Sequence, residues 1–188
     1  MTALHPRTAL VIIDAQLAID DPKWGPRNNP DAEQKIAALL AAWRDAAMPV
    51  FHVRHDSVEP GSPYTPGTKG HPFKTEAAPL DGEPVIGKSA NSAFVGTPLE
   101  AMLRQAGATI IVVCGVLTHN SVEATVRHGG NLGFRILLAA DACWSVDVTD
   151  LTGRRWPAED VHQLSLAVMN GEYAEVTDTR ALIAAARA

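Results

Sequence analysis

From Thr8 to Gln16 the chain reads TALVIIDAQ, a continuous apolar run that ends in an acid. A strand with one face in water alternates apolar and polar residues. A run without alternation belongs to a strand covered on both faces, the signature of a central strand in a sheet with helices on either side. TIIVVCGV (109–116), rich in β-branched residues, is a second such run. Helical spacing lies between the strands. PDAEQKIAALLAAWRDAAM (30–48) opens on Pro30 and Asp31 and repeats Ile36, Leu39, Leu40, Trp43 and Ala47 at helical intervals.

PVFHVRH (49–55) and FRILLAADAC (134–143) read as further strands, and YAEVTD (173–178) as a short edge strand. PLEAMLRQAG (98–107), HNSVEATVRHGGNLG (119–133), residues 157–169 and the terminal TRALIAAARA read as helices. Strands alternating with helices imply right-handed crossovers and a three-layer α/β/α domain, with a mostly parallel sheet of about six strands. With 188 residues, 46% of them apolar, the chain suits one domain over 1–188. Between His55 and Pro84 there is no usable periodicity but six prolines and four glycines, which marks a lid, a binding loop or an oligomer contact.

A net charge of -5 and the lack of any Lys/Arg run argue against nucleic acid and anionic membrane as partners, and favour a small molecule or another protein chain. No apolar run approaches the ~20 residues that cross a bilayer, so a soluble, cytoplasmic protein is expected. Cys114 and Cys143 lie in apolar runs without metal spacing and read as buried, reduced thiols. The first strand is followed by DAQLAID rather than a GxGxxG turn, which removes the dinucleotide-binding reading.

In open parallel sheets ligands sit at the carboxyl ends of the strands, near the point where strand order reverses. Asp14 ends the first strand, Lys88 stands in GKSANSAF just before a helix, and Ser121 stands in GVLTHNSVEAT after the strand that ends near Val116. Singly, each has an ordinary explanation: a turn cap, a solvated lysine, a helix N-terminus.

Together VIIDAQ, GKSANSAF, GVLTHNSVEAT and the strand ILLAADA resemble the isochorismatase-like cysteine hydrolases, which include nicotinamidase and N-carbamoylsarcosine amidase. The resemblance runs from about Ala9 to Thr177. The family pattern Gly-Val-x-Thr-x-x-Cys-Val is met by Gly115, Val116, Thr118 and Val122, with Ser121 in the cysteine's place. The resemblance implies Asp14 as proton acceptor and donor, Lys88 as the cation that steadies it, and position 121 as nucleophile. It also implies a cis peptide between Val116 and Leu117, and an oxyanion hole from the N–H groups of Leu117 and Ser121. Family members commonly oligomerise, which implies a homo-oligomer, dimer or tetramer.

A thiol near pKa ~8.5 needs only a cation and a helix N-terminus to ionise, whereas a serine hydroxyl needs a dedicated, oriented base. His119 and His128 are not spaced to serve Ser121 as that base. Three readings of Ser121 follow: an introduced Cys-to-Ser replacement that stops turnover, a natural serine variant with altered chemistry, and a non-catalytic binding or scaffold descendant. Isochorismatases proper lack the cysteine and cleave a vinyl ether, but THNSVEAT follows the cysteine-bearing branch at every position except the nucleophile. The expected activity is hydrolysis of a small amide, ureide or lactam, arrested by Ser121. FHVRHDSVEP offers His52 and His55 without the Asp-x-His spacing of nicotinamidases, so neither a metal nor another cofactor is expected. Gln16, Trp24, Asn91, Phe94 and Trp144 are the candidate substrate contacts, with Tyr64 and Phe73 on segments that reach the same edge.

Overall fold

The computed structural model describes residues 2–188. β1 (Ala9–Ile13) is buried at all five positions and lies near the middle of a six-stranded sheet. Its neighbours are β2 (Val50–His55) and β4 (Ile110–Val116), flanked by β3 (Val85–Lys88) on one side and by β5 (Arg135–Trp144) and β8 (Glu175–Thr177) on the other. The order is β3-β2-β1-β4-β5-β8 and every pairing is parallel. The chain thus builds outward from β1 in one direction and from β4 in the other. The reversal point lies between β1 and β4, whose carboxyl ends carry Asp14 and Gly115–Val116.

Right-handed crossovers in opposite directions put their helices on opposite faces. α1 (Ala32–Asp45) packs with α5 (Thr179–Ala186), and α3 (Glu123–Asn131) packs with α4 (Ala158–Met169), each pair also resting on β5. α2 (Leu99–Gln105) leads from the β3 side into β4. The face of α1 inferred from its spacing is the buried one: Ile36, Leu39, Leu40 and Trp43 are almost wholly enclosed, and Trp43 Nε1 donates to Thr8 O at 3.0 Å. Truncating such a side chain to alanine costs ~2–5 kcal/mol. Among the described residues no helix is long and apolar enough to cross a membrane.

The sequence reading passed over two elements. Lys88 ends a strand, β3, rather than preceding a helix directly; β3 is only four residues long at the sheet edge, with alternating exposure, so it lacks the apolar run that announced β1 and β4. A small antiparallel hairpin, β6 (Val148–Thr149) and β7 (Arg155–Trp156), stands apart from the main sheet.

Residues 56–84 fold back over the carboxyl edge. Gln16 clamps them: its Nε2 donates to His55 O and His71 O at 3.2 and 2.7 Å, and its Oε1 accepts from His55 N at 2.7 Å. Backbone bonds from Leu17 to Pro72, Ala18 to Gly70, and Lys74 to Ala15 continue the seam.

Candidate active site

Asp14 follows β1 directly and takes a left-handed conformation, φ 51°, which aspartate tolerates better than most residues. Its N–H donates to Val53 O at 3.0 Å and its carbonyl accepts from Gln16 N at 2.7 Å, a tight turn at the mouth of the sheet. Lys88 arrives from two strands away, and neighbouring strands lie ~4.8 Å apart, so its long stem must pass over the end of β2. There its Nζ donates to Asp14 Oδ2 at 2.6 Å, lies 3.3 Å from His55 Nδ1, and donates to Ser121 Oγ at 3.3 Å. One ammonium therefore ties together the ends of β1, β2, β3 and the turn after β4.

That turn is built to close tolerance. Gly115 sits at φ +120°, and a Cβ there would lie 2.1 Å from Ile13 O. The β4–β5 register shifts between Val113 and Gly115, and the Val116–Leu117 peptide is cis. Thr118–Val122 then forms a π-helical turn, with Val122 N donating to Leu117 O at 3.2 Å, before α3 begins. Side chains from α4 brace it: Thr118 Oγ1 lies 2.9 Å from His162 Nδ1, and Ser165 Oγ donates to Thr118 O at 3.3 Å.

Asp14, Lys88 and Ser121 are all buried. Burial pushes the Asp14 carboxyl above the usual carboxylate range, against the Lys88 ammonium and the nearby Ser121 hydroxyl, which favour the charged form. Burial, then the Lys88 charge, pushes the His55 imidazole down, so His55 is a neutral acceptor for Lys88. The second carboxylate oxygen, Asp14 Oδ1, is buried with no hydrogen-bond partner among the described residues.

A cavity of about 140 Å³ opens on these groups. Leu117, Ser121, Trp24 and Asn91, all singled out in the sequence, line it. Trp24 is held by a 2.8 Å bond from Nε1 to Ala18 O and meets Tyr64 edge-on at 6.3 Å. Three expected contacts lie elsewhere. Gln16 is spent on clamping the 56–84 segment. Phe94 packs on Phe134 and His128, with ring centroids 5.9 and 5.4 Å away. Trp144 is fully buried beneath the Arg27 guanidinium at 4.0 Å. Phe73 likewise packs on His52 rather than on the cavity.

His55, Ser57, Glu59, Ser62, Tyr64 and Asn120 complete the polar part of the wall. His55 carried a usable signal, being the last residue of the strand beside the reversal point. Tyr64 was placed by the sequence on a segment reaching this edge, Asn120 lies inside the motif beside Ser121, and Ser57, Glu59 and Ser62 sit on a segment without periodicity. Neither cysteine competes as nucleophile: both are buried, burial raises the Cys114 pKa far above its usual value, and it pushes Cys143 up to about 12.

A model of the isochorismatase domain matches residues 8–181. The chain belongs to the isochorismatase family. Its structure is similar to that of an isochorismatase-family protein from Chromobacterium violaceum, at TM-score 0.96 and 53% identity, covering 100% of this chain and 97% of the other. It is 37% identical over 180 residues to the isochorismatase family protein YrdC of Bacillus subtilis, covering 96% of each. A more distant relative is the ureidoacrylate amidohydrolase RutB of Methylobacterium radiotolerans, 28% identical over 215 residues, covering 95% of this chain and 80% of that one. The family is one of hydrolases, and the cavity at the β1/β4 reversal is where such a fold places its ligand.

Proposed function

We propose that this site hydrolyses a small amide, ureide or lactam through a nucleophile at position 121, and that serine there arrests the reaction. The observation that carries the reading is the contact of one buried ammonium with both Asp14 Oδ2 and Ser121 Oγ, beside an unpaired Asp14 Oδ1. A buried ion pair is costly to desolvate and weak as a stabilising device, so its place at a cavity floor points to chemistry. With sulfur at position 121, the thiol proton passes to Asp14 and Lys88 stabilises the thiolate. The sulfur attacks the carbonyl carbon, the C–N bond breaks as Asp14 returns the proton to the leaving nitrogen, and water then cleaves the thioester. The N–H groups of Leu117 and position 121 are the proposed oxyanion donors, each worth ~3 kcal/mol at the transition state. A hydroxyl in the same place ionises far less readily, and no histidine base stands beside it.

The cavity size also supports the reading. An engineered cavity of ~150 Å³ in another protein holds benzene, so about 140 Å³ accommodates a substrate core of about six heavy atoms. The vinyl-ether reading fits less well, because isochorismate carries two carboxylates and Lys88, the cation at the cavity floor, is already bound to Asp14. The relative named as an amidohydrolase supports C–N chemistry. The test is ammonia release from a panel of amides, ureides and lactams, with isochorismate alongside. Ser121→Cys is expected to turn over one of the amides and the serine form none. Isochorismate cleavage by the serine form, abolished in Asp14→Asn, would overturn the reading.

A further inference from the structure

One carboxylate in the cavity wall has no partner among the described residues. Asp14 is matched by Lys88, which is committed on three sides. Other cations on the surrounding segments are also committed: Arg54 to Asp56 at 3.0 Å, with His71 Nε2 also 2.7 Å from that carboxylate, and Lys74 to Asp20 and Glu33, at 2.5 and 2.9 Å. Lys23 lies over the Trp24 ring at 4.7 Å and, like Glu59, makes no ion pair among the described residues. Of the two carboxylates in the wall, Asp14 and Glu59, only Glu59 is without a partner. It lines the cavity next to Ser57 and Ser62, is exposed towards the opening, and its carboxylate has no hydrogen-bond or ion-pair partner among the described residues. Ser57 Oγ accepts from Glu59 N at 3.2 Å, which fixes the backbone that carries it. The remaining wall is neutral or aromatic, with Trp24 and Tyr64 presenting ring surface beside this carboxylate's segment.

We propose that the substrate is an amide bearing a protonated amine, with its carbonyl at position 121 and its ammonium group against Glu59, flanked by Trp24 and Tyr64. This rests on the amide-hydrolase reading of the same site and adds the charge of the substrate. An unpaired carboxylate at the mouth repels anions and attracts cations, and the Tyr64 ring, which carries no cation of its own, adds cation–π attraction where water is partly excluded. A cavity suited to about six heavy atoms matches short ω-amino amides: glycinamide, 3-aminopropanamide and 4-aminobutanamide.

The probes are 3-aminopropanamide, its neutral isostere butanamide, and the anion succinamate, titrated calorimetrically into the serine form at neutral pH. 3-Aminopropanamide, or one of its two homologues, is expected to bind about tenfold more tightly than butanamide, and succinamate most weakly. Glu59→Gln brings the cation-to-neutral ratio near one, and Glu59→Lys reverses it in favour of succinamate. Because Glu59 is exposed, neither variant disturbs the core. Equal binding of cation and isostere, failure of all three amino amides to bind at millimolar concentration, or a preference that survives Glu59→Gln overturns the proposal. Kinetics in the Ser121→Cys background separate it from the reading beneath it. Turnover of butanamide as efficient as that of 3-aminopropanamide removes the cation site and leaves the amidase. A Glu59-dependent binding preference without cleavage of any amide keeps the cation site and removes the amidase.

Discussion

Lys88 is the residue on which the site turns, because its removal leaves a carboxylate buried without a cation. Uncompensated burial of a charge costs ~3–5 kcal/mol, so Lys88→Met should lower the melting temperature by roughly 6–20 °C at neutral pH. Without the ammonium, burial raises the Asp14 pKa further, and the folded state then prefers the protonated acid. The penalty is therefore full above the folded pKa, shrinks as pH falls through it, and is gone below the unfolded value of ~3.9. Melts of Lys88→Met and the parent from pH 8 to pH 3.5 check this; a constant gap across the range would contradict it. Asp14 and Ser121 stood out in the sequence as reactive types at a strand end and in the turn beyond one, but Lys88 was read as preceding a helix, and only the resemblance carried by VIIDAQ, GKSANSAF and GVLTHNSVEAT joined the three. Gln16, Phe94 and Trp144 shared that neighbourhood but point elsewhere, since a side chain's direction at a strand end is set by packing that the sequence alone does not display. His55 was visible as a strand-terminal histidine, yet its meaning depends on a lysine 33 residues away reaching it.

At the level of elements, the turn after β4 owes its shape to Gly115. A methyl group there would meet Ile13 O at 2.1 Å and Ile13 N at 2.7 Å, on backbone at φ +120°. Neither strand can retreat without breaking the β1–β4 ladder. Gly115→Ala should therefore cost at least ~3 kcal/mol or abolish soluble expression. Gly153→Ala, at φ +84° in the β6–β7 turn with nothing within 4 Å, should cost only ~1 kcal/mol. Similar denaturation midpoints for the two would refute the close-approach account. The unalternating runs made β1 and β4 easy to place, and α1 declared its buried face through its spacing. β3 and the β6–β7 hairpin were missed because four and two residues hold too little periodicity. The 56–84 segment was recognisable as a functional insertion, but only the Gln16 clamp explains why it folds onto the carboxyl edge and supplies part of the cavity wall.

For the whole molecule, two carboxylates govern acid stability, buried Glu33 and half-buried Glu83. Burial opposes ionisation of Glu33, but hydrogen bonds from Arg27 and Lys74 bring its pKa down to about 2; Arg44, chiefly, does the same for Glu83. Depressed folded pKa values mean that the stabilisation is present above the unfolded value of ~4.3 and is lost as pH falls towards about 2, at ~3 kcal/mol per group. Urea midpoints should fall steeply over that window and flatten in the Glu33→Gln/Glu83→Gln double variant, while an unchanged slope would count against these pairs. We propose further that the chain self-associates as a dimer or tetramer through the apolar groove between the hairpin and α4. Leu151, Leu164 and Val168 are exposed around it, and Val148, Trp156 and Val161 extend its apolar lining. Light scattering should report a multiple of 20.0 kDa that Leu164→Glu reduces, whereas a concentration-independent monomer would contradict the interface. On the proposed mechanism, serine at position 121 lacks only the sulfur that acyl transfer needs. Intact-mass spectrometry of Ser121→Cys, quenched during turnover of its best amide, should show an acyl adduct at position 121 that is absent in Ser121→Cys/Asp14→Asn; rapid amide turnover with no adduct at that position would rule the mechanism out.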